Sequence, residues 1–493
     1  MKWVFKRKTD ADGNLERSKA RMVACGNEEV FGVNYDMAFS AFMDLGTAKL
    51  LLALASTWGI PAKHGDVPNA YVKAPPEKNF NLYLRVPQGM KISTTKLEEL
   101  GVSSSEQVVL RLQKSFTQSL IDSCLYYDHD SSGITVLGVY VDYTLVTGTS
   151  VSRIESTFES LSSLSIKNLG PVSKFLGMRV HYSEEDGYSL DQEPSICELI
   201  VKMDLDQAHS VLTPIGQNYS DVLASISEKL EVNSVKEPTI KRFQSLPGSL
   251  LCFARCTRPD ISYAVHKLTR RTHDSTTADW ALGIRVVKYL KGTKNLKFYL
   301  GGEISTVTQE VTLEAFSDAD YAADDETRKS ISGTAILLTG MPMSWPCKSQ
   351  HLVSLSTMEA EFLAASKAAQ ELLGASELFR ELKIILEDPM ILWMESQAAI
   401  SQFVNKATSI KAKHIDVRIK YVRQYMDKGI IVPTYVHTSK MLAELHTKAF
   451  PTPRFLQPRE LWQLRNWTMQ VEDDTSSSAI TKEGASKGPR ISL

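Results

Sequence analysis

The sequence contains no long apolar segment and no recognisable leader. Its most apolar run, LLLALA at residues 50–55, is far too short to cross a bilayer, because a spanning helix needs about 20 such residues. The first residues turn charged at once, which argues against a secretory signal peptide. We therefore expect an intracellular protein, cytoplasmic or nuclear, that does not associate with a membrane.

The chain is also poor in cysteine and has no excess charge of either sign. Six Cys are scattered over 493 residues. The pair Cys252 and Cys256 has no second Cys or His pair nearby to complete a zinc site, so we expect reduced thiols. Lys and Arg number 56 against 57 Asp and Glu, a formal net charge of -1. Net charge therefore says nothing about a polyanionic partner, and only local charge clusters are informative.

The composition is that of a folded chain with several domains. The hydrophobic share is 43% and the charged share 23%, both ordinary for globular proteins, and the length suggests roughly two to four domains. Residues 216–240 are polar and unpatterned, which predicts a linker. The polar tail over residues 451–493 is predicted to be disordered.

Apolar periodicity predicts strands and helices along the rest of the chain. The first half is predicted to contain a hairpin over 1–25, a helix over 47–58, strands at 65–72 and 82–87, a hairpin around YVDYTLVTG at 140–148, a helix over 151–165 and a strand at 174–183. The second half is predicted to be mostly helical over 241–300, then to contain two strands within 311–340, a helix over 357–383, a strand at 391–395, helices over 397–404 and 414–428, and a strand at 431–437.

Two aspartates in the first half follow apolar strands. Asp66 lies in GDVPNAYV, and Asp142 lies at the tip of the YVDY hairpin. Carboxylates on neighbouring strand ends can hold two Mg²⁺ ions that polarise a hydroxyl and the phosphate it attacks. Tyr71 follows Asp66 by five residues and would lie beside a nucleotide sugar. The alternative is that each Asp is a turn residue and that Tyr71 is a core residue.

Four acidic residues in the second half lie on separate predicted elements. Asp318 ends an apolar strand, Glu361 lies in a helix, Glu395 ends the next strand, and Glu444 begins a final helix. Such acids can converge on two metal ions that activate water against an RNA phosphodiester. Any one of them taken alone is more typical of a cap, a turn or a solvated acid.

Basic residues cluster in the predicted helices between the two halves. Residues 255–297 carry ten Lys and Arg against three Asp, and the first 21 residues carry seven basic and three acidic side chains. A basic stripe on helices is typical of contact with a phosphate backbone, although a solvated helix face gives the same pattern. The candidate contacts are Arg255, Arg258, Lys267, Arg270, Arg271, Arg285, Lys288 and Lys291.

Ordered sequence blocks over about 300 residues resemble the reverse transcriptase of copia-type LTR retrotransposons. The blocks are WVFKRKTDADGNLERSKARMVACG, GDVPNAY, LYLRVPQGM, YVDY, KFLGMRV and GSLLCFARCTRPDISYAV. The resemblance implies a fingers–palm–thumb fold around a template–primer, with KFLGMRV as the hairpin that grips the primer. It implies Asp66 and Asp142 as catalytic metal ligands, Tyr71 as the aromatic that gates the sugar, and Lys19 and Arg21 near the triphosphate of a deoxynucleotide.

Blocks over about residues 310–450 resemble the RNase H domain that follows this reverse transcriptase. They are SDADYAADDETRKSISG, SLSTMEAEFLAAS, KHIDVR and HTSKMLAELHTK. The resemblance implies a mixed-sheet domain in which Asp318, Glu361, Glu395 and Glu444 bind Mg²⁺ and cleave the RNA of an RNA–DNA hybrid. Glu395 and Glu444 stand where the family has Asp. His437 is a candidate for product release and His414 for a phosphate contact, and packing roles are the alternative for both.

Two departures from the family predict that this copy does not polymerise. Tyr143 stands where the family has the second Asp of YVDD, and a phenol is a poor Mg²⁺ ligand at neutral pH. Only residues 116–123 join LQKS to CLYY, whereas a crossover with its helix usually needs at least about 10–12 residues.

The overall prediction is an α/β (α+β) polyprotein fragment. Its parts would be a truncated fingers and palm over 1–215, a thumb or connection over 216–305, an RNase H-like domain over 306–450 and a tail over 451–493. A transposon relic that binds nucleic acid without catalysis, and a residual RNase H alone, are the alternatives.

Overall fold

The structure is a computed structural model. It describes residues 2–9, 15–23, 43–66, 117–140, 143–162, 166–216, 228–231, 238–301, 311–404 and 413–466. The predicted strand at 82–87 lies outside these residues, as do Tyr71 and Asp142. Within the described residues, no helix combines the length and the apolar character that a membrane span requires.

The predicted N-terminal hairpin is confirmed. Strand β1 (Lys2–Thr9) pairs antiparallel with β2 (Leu15–Val23). In this register Lys19 lies opposite Lys6, and Arg21 lies opposite Val4. The basic residues of the two strands are thus brought alongside one another by the pairing.

A six-stranded sheet forms the core of the first half, in the order β4-β5-β6-β7-β3-β8. Its strands are β3 (Lys63–Asp66), β4 (Thr117–Gln118), β5 (Leu125–Asp130), β6 (Gly133–Tyr140), β7 (Tyr143–Gly148) and β8 (Lys167–Pro171). The predicted YVDY hairpin is confirmed as β6 and β7, in which Tyr140 pairs with Tyr143. Of the strand predicted in GDVPNAYV, only residues 65–66 are described, and they belong to β3, which ends at Asp66. Residues 67–72 lie outside the described part of the chain.

Two helices cover the two faces of this sheet. Helix α1 (Leu45–Thr57) is buried from Ala48 to Ser56, as expected for a helix that is apolar all round. Gly138 of β6 allows α1 to approach closely, because a Cβ there would lie 2.7 Å from Leu51 Cδ1 of α1 and 2.4 Å from the sulfur of Met43 just before it. Helix α2 (Val151–Ser162) buries Ile154, Phe158 and Leu161 against the opposite face.

A second sheet carries the predicted primer-gripping hairpin, in the order β19-β12-β11-β10-β9. Its strands are β9 (Lys174–Phe175), β10 (Met178–Ser183), β11 (Gly187–Asp191), β12 (Leu296–Leu300) and β19 (Leu464–Asn466). The KFLGMRV block turns at Leu176 and Gly177, both at positive φ, so the block is a tight hairpin. Its contact with a primer stays a prediction.

Among the described residues between positions 193 and 292, four helices and a 3-10 turn connect the two halves. They are α3 (Glu193–Lys202), α4 (Ile240–Cys256), the 3-10 turn Pro259–Ile261, α5 (Ser262–Arg270) and α6 (Thr277–Gly292). Thr276 and Asp279 form a reciprocal capping box at the start of α6. The mostly helical stretch predicted over 241–300 is therefore confirmed.

The second half is built on a mixed sheet in the order β15-β14-β13-β17-β18, with β16 also pairing with β14. Its strands are β13 (Leu313–Asp320), β14 (Ile331–Leu338), β15 (Met341–Ser344), β16 (Cys347–Ser349), β17 (Met390–Met394) and β18 (Ile431–Tyr435). β14 is antiparallel to β13, whereas β17 and β18 run parallel to it. Its helices are α7 (Thr357–Glu381), α8 (Gln397–Val404) and α9 (Lys413–Asp427).

The C-terminal elements differ from two predictions. The helix expected around Glu444 is a 3-10 helix, Leu442–His446, preceded by another at Thr438–Lys440. The disordered tail predicted from residue 451 is wrong up to Asn466, because α10 (Thr452–Leu461) and β19 are formed there. Trp462 is fully buried, so apolar burial holds this segment in place. Residues 467–493 lie outside the described part of the chain.

A buried lysine joins the two halves and the connecting helices. Lys49 of α1 donates to the Arg255 carbonyl at 2.6 Å and lies 3.2 Å from the centroid of the Trp345 ring. Trp345 in turn donates to the Ala254 carbonyl at 2.7 Å. Burial lowers the Lys49 pKa well below its usual value. The short 116–123 link adds a contact, since Ser119 and Leu120 donate to Glu381 at the end of α7, both at 2.6 Å.

Candidate functional site: a buried carboxylate cluster

Two of the predicted acids lie at the same edge of the second-half sheet. β13 and β17 are parallel, and Ser317 pairs with Met394. Asp318 and Glu395 are the next residues on their strands, so the carboxyl ends of neighbouring strands carry them side by side. Asp318 is only 2% exposed.

Helix α7 adds the third acid. Ser356 caps this helix by accepting from the Glu359 N–H at 3.1 Å, which fixes where the helix begins. Glu361 therefore falls at the end of the first turn, over β13. The Glu361 carboxylate lies near the Ala319 N–H of β13, which lowers its pKa, yet its Oε2 is buried and has no hydrogen-bond partner.

Burial and neighbouring carboxylates raise the pKa of Asp318 and that of Glu361. Burial is the main cause of the rise at Asp318, and Glu395 adds to it. Burial, Asp318 and Glu395 together raise the pKa of Glu361 to about 9. The Lys448 ammonium acts against these rises, and its own pKa is raised by Asp318, Glu444 and Glu395. The site is thus a low-dielectric pocket of negative charge with one internal cation.

Glu444 is directed towards cations rather than towards the other acids. Its Oε1 accepts from Arg454 of α10 at 2.7 Å and from Lys448 at 2.9 Å. The carboxylate is buried, with its side chain 4% exposed. Lys448 therefore stands between Glu444 and the cluster of Asp318, Glu361 and Glu395.

A glycine allows the 3-10 helix Leu442–His446 to reach the site. Gly333 of β14 pairs directly with Asp318. A Cβ at Gly333 would lie 2.5 Å from the Ala443 carbonyl and 2.8 Å from a Thr447 side-chain carbon. Since that distance is too short for real atoms, only Gly lets the segment approach. Thr447 then donates a short hydrogen bond to Asp318.

The carboxylate oxygens of the cluster suit a hard divalent cation, although these side chains are not arranged around a metal position. Among the described residues, no group of three His, Cys, Asp or Glu side chains is arranged to hold a metal ion. The cluster nevertheless offers only carboxylate oxygens, the ligands that Mg²⁺ prefers. The unpartnered Glu361 Oε2 and the mutual repulsion of the three acids are features that a bound cation would relieve. The residues therefore fit Mg²⁺ chemically.

Three residues at the site were missed by the sequence analysis. Asp320 lies two residues beyond Asp318, on the same strand face, and its pKa is raised by burial and by Asp318. The spacing of two in SDAD could have indicated it. Thr447 and Lys448 belong to the quoted HTK block, but nothing local to them indicates a partner in β13.

The two candidate histidines are placed differently. His437 caps the 3-10 helix Thr438–Lys440 and lies 2.9 Å from the Ser439 hydroxyl. It lines a pocket of about 200 Å³ together with Glu444 and Arg454, while its neighbour Thr438 donates to Glu395. His414 lies in α9, and its side chain is outside the described atoms. Both roles stay predictions.

Replacing Glu361 by Gln should flatten the pH dependence of stability in metal-free buffer. The raised pKa means that the folded state binds the proton more tightly, so stability falls as pH rises from about 4.5 to about 9. Gln carries no charge at any pH. We expect the melting temperature of the Gln variant at pH 8.5 to exceed that of the parent by about 5 °C, and to match it near pH 4.5.

A suitable control for that measurement is Glu377→Gln on the same helix. Glu377 is exposed and pairs with Arg380 at 2.7 Å, an arrangement worth little. Equal pH profiles for Glu361→Gln and the parent protein would show that Glu361 titrates normally.

The first-half site is only partly described. Asp66 is half-buried and lies directly opposite Tyr143 in the β3–β7 pairing. The strand that follows the YVDY turn, β7, is therefore adjacent to Asp66, and β6 lies on the far side of β7 in the same sheet. The predicted catalytic partner Asp142 and the sugar-gating Tyr71 lie outside the described residues, and the side chains of Lys19 and Arg21 do too.

Most of the eight basic side chains predicted to contact phosphate have partners within the protein. Arg258 is 1% exposed and pairs with Asp260 at 2.7 Å, so its predicted phosphate contact is wrong. Internal partners also hold five others: Lys267 at the Ala323 carbonyl, Arg270 at Asp324, Arg271 at Glu326, Arg285 at Thr213 and Lys291 at the Leu205 carbonyl. Arg255 is well exposed and Lys288 half-buried.

A separate cavity does not coincide with the carboxylate cluster. It has a volume of about 750 Å³ and lies between α1, the α4–α5 helices and the second-half sheet. Lys49, Trp345 and His266 line it, together with Arg255 at its edge. None of the predicted catalytic acids lines it.

The fold and site of the second half define the ribonuclease H-like class. A central strand has an antiparallel neighbour on one side and parallel strands on the other, and acids gather at one edge. The first half matches the family model described as reverse transcriptase (RNA-dependent DNA polymerase) over residues 1–217.

Relatives identify the family more closely. The Pol polyprotein from transposon TNT 1-94 of Nicotiana tabacum is 28% identical over 93% of this chain and 35% of its own length. An uncharacterized mitochondrial protein of Arabidopsis thaliana is 32% identical, over 48% of this chain and 93% of its own length. The chain belongs to the retrovirus-related Pol polyproteins of copia-like transposons. It spans about a third of the length of the Pol polyproteins that it matches.

A solved structure also aligns with much of the chain. It is a foamy viral protease-reverse transcriptase in complex with RNA/DNA hybrid. The alignment covers 82% of this chain and 46% of that chain, with 15% identity and a TM-score of 0.38.

Proposed function

We propose that the second half cleaves the RNA strand of an RNA–DNA hybrid with Mg²⁺ or Mn²⁺. The observation that carries the proposal is the buried cluster of Asp318, Glu361 and Glu395 at one sheet edge. These carboxylates would hold the metal, which supplies an activated water and neutralises charge on the phosphate. The hydrogen bond from Thr447 would hold Asp318 in its orientation before metal binds.

The protein residues around the cluster have defined roles in this chemistry. Glu361 keeps a proton near neutral pH in the metal-free state, since its pKa is about 9. Metal binding would displace that proton, because a carboxylate must be ionised to coordinate a cation. Recognition would depend on the shape and 2′-hydroxyls of the hybrid rather than on base edges.

A cleavage assay on matched substrates tests the proposal. We expect the purified chain to cut a labelled RNA strand paired with DNA, and to leave single-stranded RNA and duplex DNA intact. Absence of cleavage with both Mg²⁺ and Mn²⁺ would contradict the proposal. Equal cleavage of single-stranded RNA would also contradict it, because hybrid shape would then play no part.

The first half is proposed to bind template–primer without extending it. Tyr143 faces Asp66 across the β3–β7 pair at the position where the family has its second Asp. The link before β5 is formed by β4 and turns rather than by a crossover helix in its described part, residues 117–123. Both features support a loss of nucleotide addition, while the strand framework of a polymerase palm is retained.

Purified protein should therefore fail to extend a primed RNA template with Mg²⁺ and deoxynucleotides. The reason is that a neutral phenol does not replace a carboxylate as a metal ligand. Primer extension followed on a denaturing gel measures this, with a commercial reverse transcriptase as the positive control. Robust extension would overturn our interpretation of Tyr143.

A further inference from the structure

The C-terminal helix α10 supplies a cation to the carboxylate site. Arg454, in its first turn, donates to Glu444 Oε1 at 2.7 Å. The Arg454 side chain is half-exposed, whereas the Glu444 side chain is buried at 4% exposure. The guanidinium also lies 5.2 Å from the Phe450 ring centroid. These two contacts hold the Arg454 guanidinium of α10 beside Glu444 of the preceding 3-10 helix.

The Glu444 carboxylate also has a second cationic partner. Lys448 binds the same oxygen at 2.9 Å, so two cations share one carboxylate. Among the groups that shift the Asp318 and Glu361 pKa values, Lys448 and Glu395 appear and Glu444 does not. The fourth acid is therefore paired with cations and not with the other three acids.

We infer that Arg454 withholds Glu444 from the carboxylate cluster and thereby lowers the affinity of the site for divalent cations. The inference rests on the proposed function, because it assumes that the cluster is the metal site. With Arg454 in place, a cation entering the cluster meets three acids and the Lys448 ammonium. Without Arg454, Glu444 retains only Lys448, and its carboxylate gains freedom to turn towards the metal. Helix α10 therefore weakens metal binding at the carboxylate cluster through Arg454.

Burial explains why the affinity of the cluster for metal depends on Arg454. A buried carboxylate left without a partner is costly, so Glu444 keeps whichever cations reach it. α10 is held in place by Phe455 and by the following Trp462, both buried. Trp462 donates to the Leu442 carbonyl at 3.0 Å, which ties the segment to the 3-10 helix that carries Glu444. Arg454 is therefore presented by a fixed element and not by a loose tail.

Mn²⁺ titration followed by the electron paramagnetic resonance of free Mn²⁺ tests the inference without any activity assay. We expect Arg454→Gln in the full chain to bind Mn²⁺ about fivefold more tightly, the size expected for loss of a partly exposed ion pair. Arg454→Lys should stay within about twofold of the parent protein, since it retains a charge at this position. Arg465→Gln is the matched control, because Arg465 lies on the neighbouring β19 against the Tyr299 ring.

A second pair of variants separates the possible outcomes. If the gain arises through Glu444, it must vanish when Arg454→Gln is combined with Glu444→Gln. Unchanged affinity in Arg454→Gln, or a gain that survives in the double variant, would overturn the inference. If instead the parent protein binds Mn²⁺ and Asp318→Asn leaves that binding unaltered, the assignment of the metal site fails and the proposed function fails with it.

Discussion

Replacement of Asp318 by Asn is expected to lower hybrid cleavage about 100-fold or more, as does the loss of a single group that stabilises charge in other active sites. Asp318 is 2% exposed at the end of β13, with Glu361 and Glu395 as its charged neighbours. Asn keeps the shape of the side chain but removes one of the charges that attract a metal. The measurement is the initial rate of RNA cleavage in a hybrid at saturating Mn²⁺.

Loss of activity in this variant cannot be ascribed to unfolding. Because burial raises the Asp318 pKa, the neutral Asn should match or exceed the stability of the parent at pH 8 in metal-free buffer. Asp325→Asn is the matched control, since Asp325 is exposed in the loop that follows β13. Cleavage by Asp318→Asn at the parent rate would show that the nuclease site lies elsewhere.

Replacement of Arg258 by Ala is expected to destabilise the connecting helices by about 3–5 kcal/mol. Arg258 donates to both oxygens of Asp260, at 2.9 and 2.7 Å, and to the Thr293 carbonyl and hydroxyl. Tyr289 also donates to Asp260. Without Arg258, Asp260 would be left as a buried charge compensated only by Tyr289. The thermal midpoint should fall by about 6–15 °C in calorimetry.

Arg255 provides a control three residues earlier. Its side chain is 62% exposed and lies 4.0 Å from Asp44. Arg255→Ala should change stability by less than about 0.5 kcal/mol, and should weaken nucleic-acid binding if this surface contacts phosphate. A fall in midpoint of equal size for the two variants would contradict the difference in burial on which the prediction rests.

Regular elements could be predicted from the sequence because their apolar periodicity is strong. The predicted helix over 357–383 is observed at Thr357–Glu381, and that over 397–404 is observed at Gln397–Val404. The C-terminal segment could not be predicted, because α10 contains polar residues and Pro458, and its order depends on Trp462 packing against a distant element. Short, polar segments carry little local information when tertiary contacts alone fix them.

The site was predictable in its residue types but not in its charge balance. Asp318 lies on β13, Glu361 on α7 and Glu395 directly after β17, in the order of strand, helix and strand end that the sequence predicted. Glu444 followed from the same pattern, yet its cations Lys448 and Arg454 come from a turn and from a helix that the sequence did not predict. The internal pairing of the basic residues in 255–297 was unpredictable for a similar reason. The Asp and carbonyl partners of Arg258, Lys267 and Arg270 become their neighbours only in the folded chain.

The anomalous scattering of Mn²⁺ in crystals of the full chain would locate the metal. We expect a Mn²⁺ peak bonded to carboxylate oxygens of Asp318 and Glu361, with Glu395 as a further or water-mediated ligand. We also expect the peak to be lost in Asp318→Asn. A peak at another cluster, or none at these acids when the crystals are saturated with Mn²⁺, would contradict this assignment of the metal site.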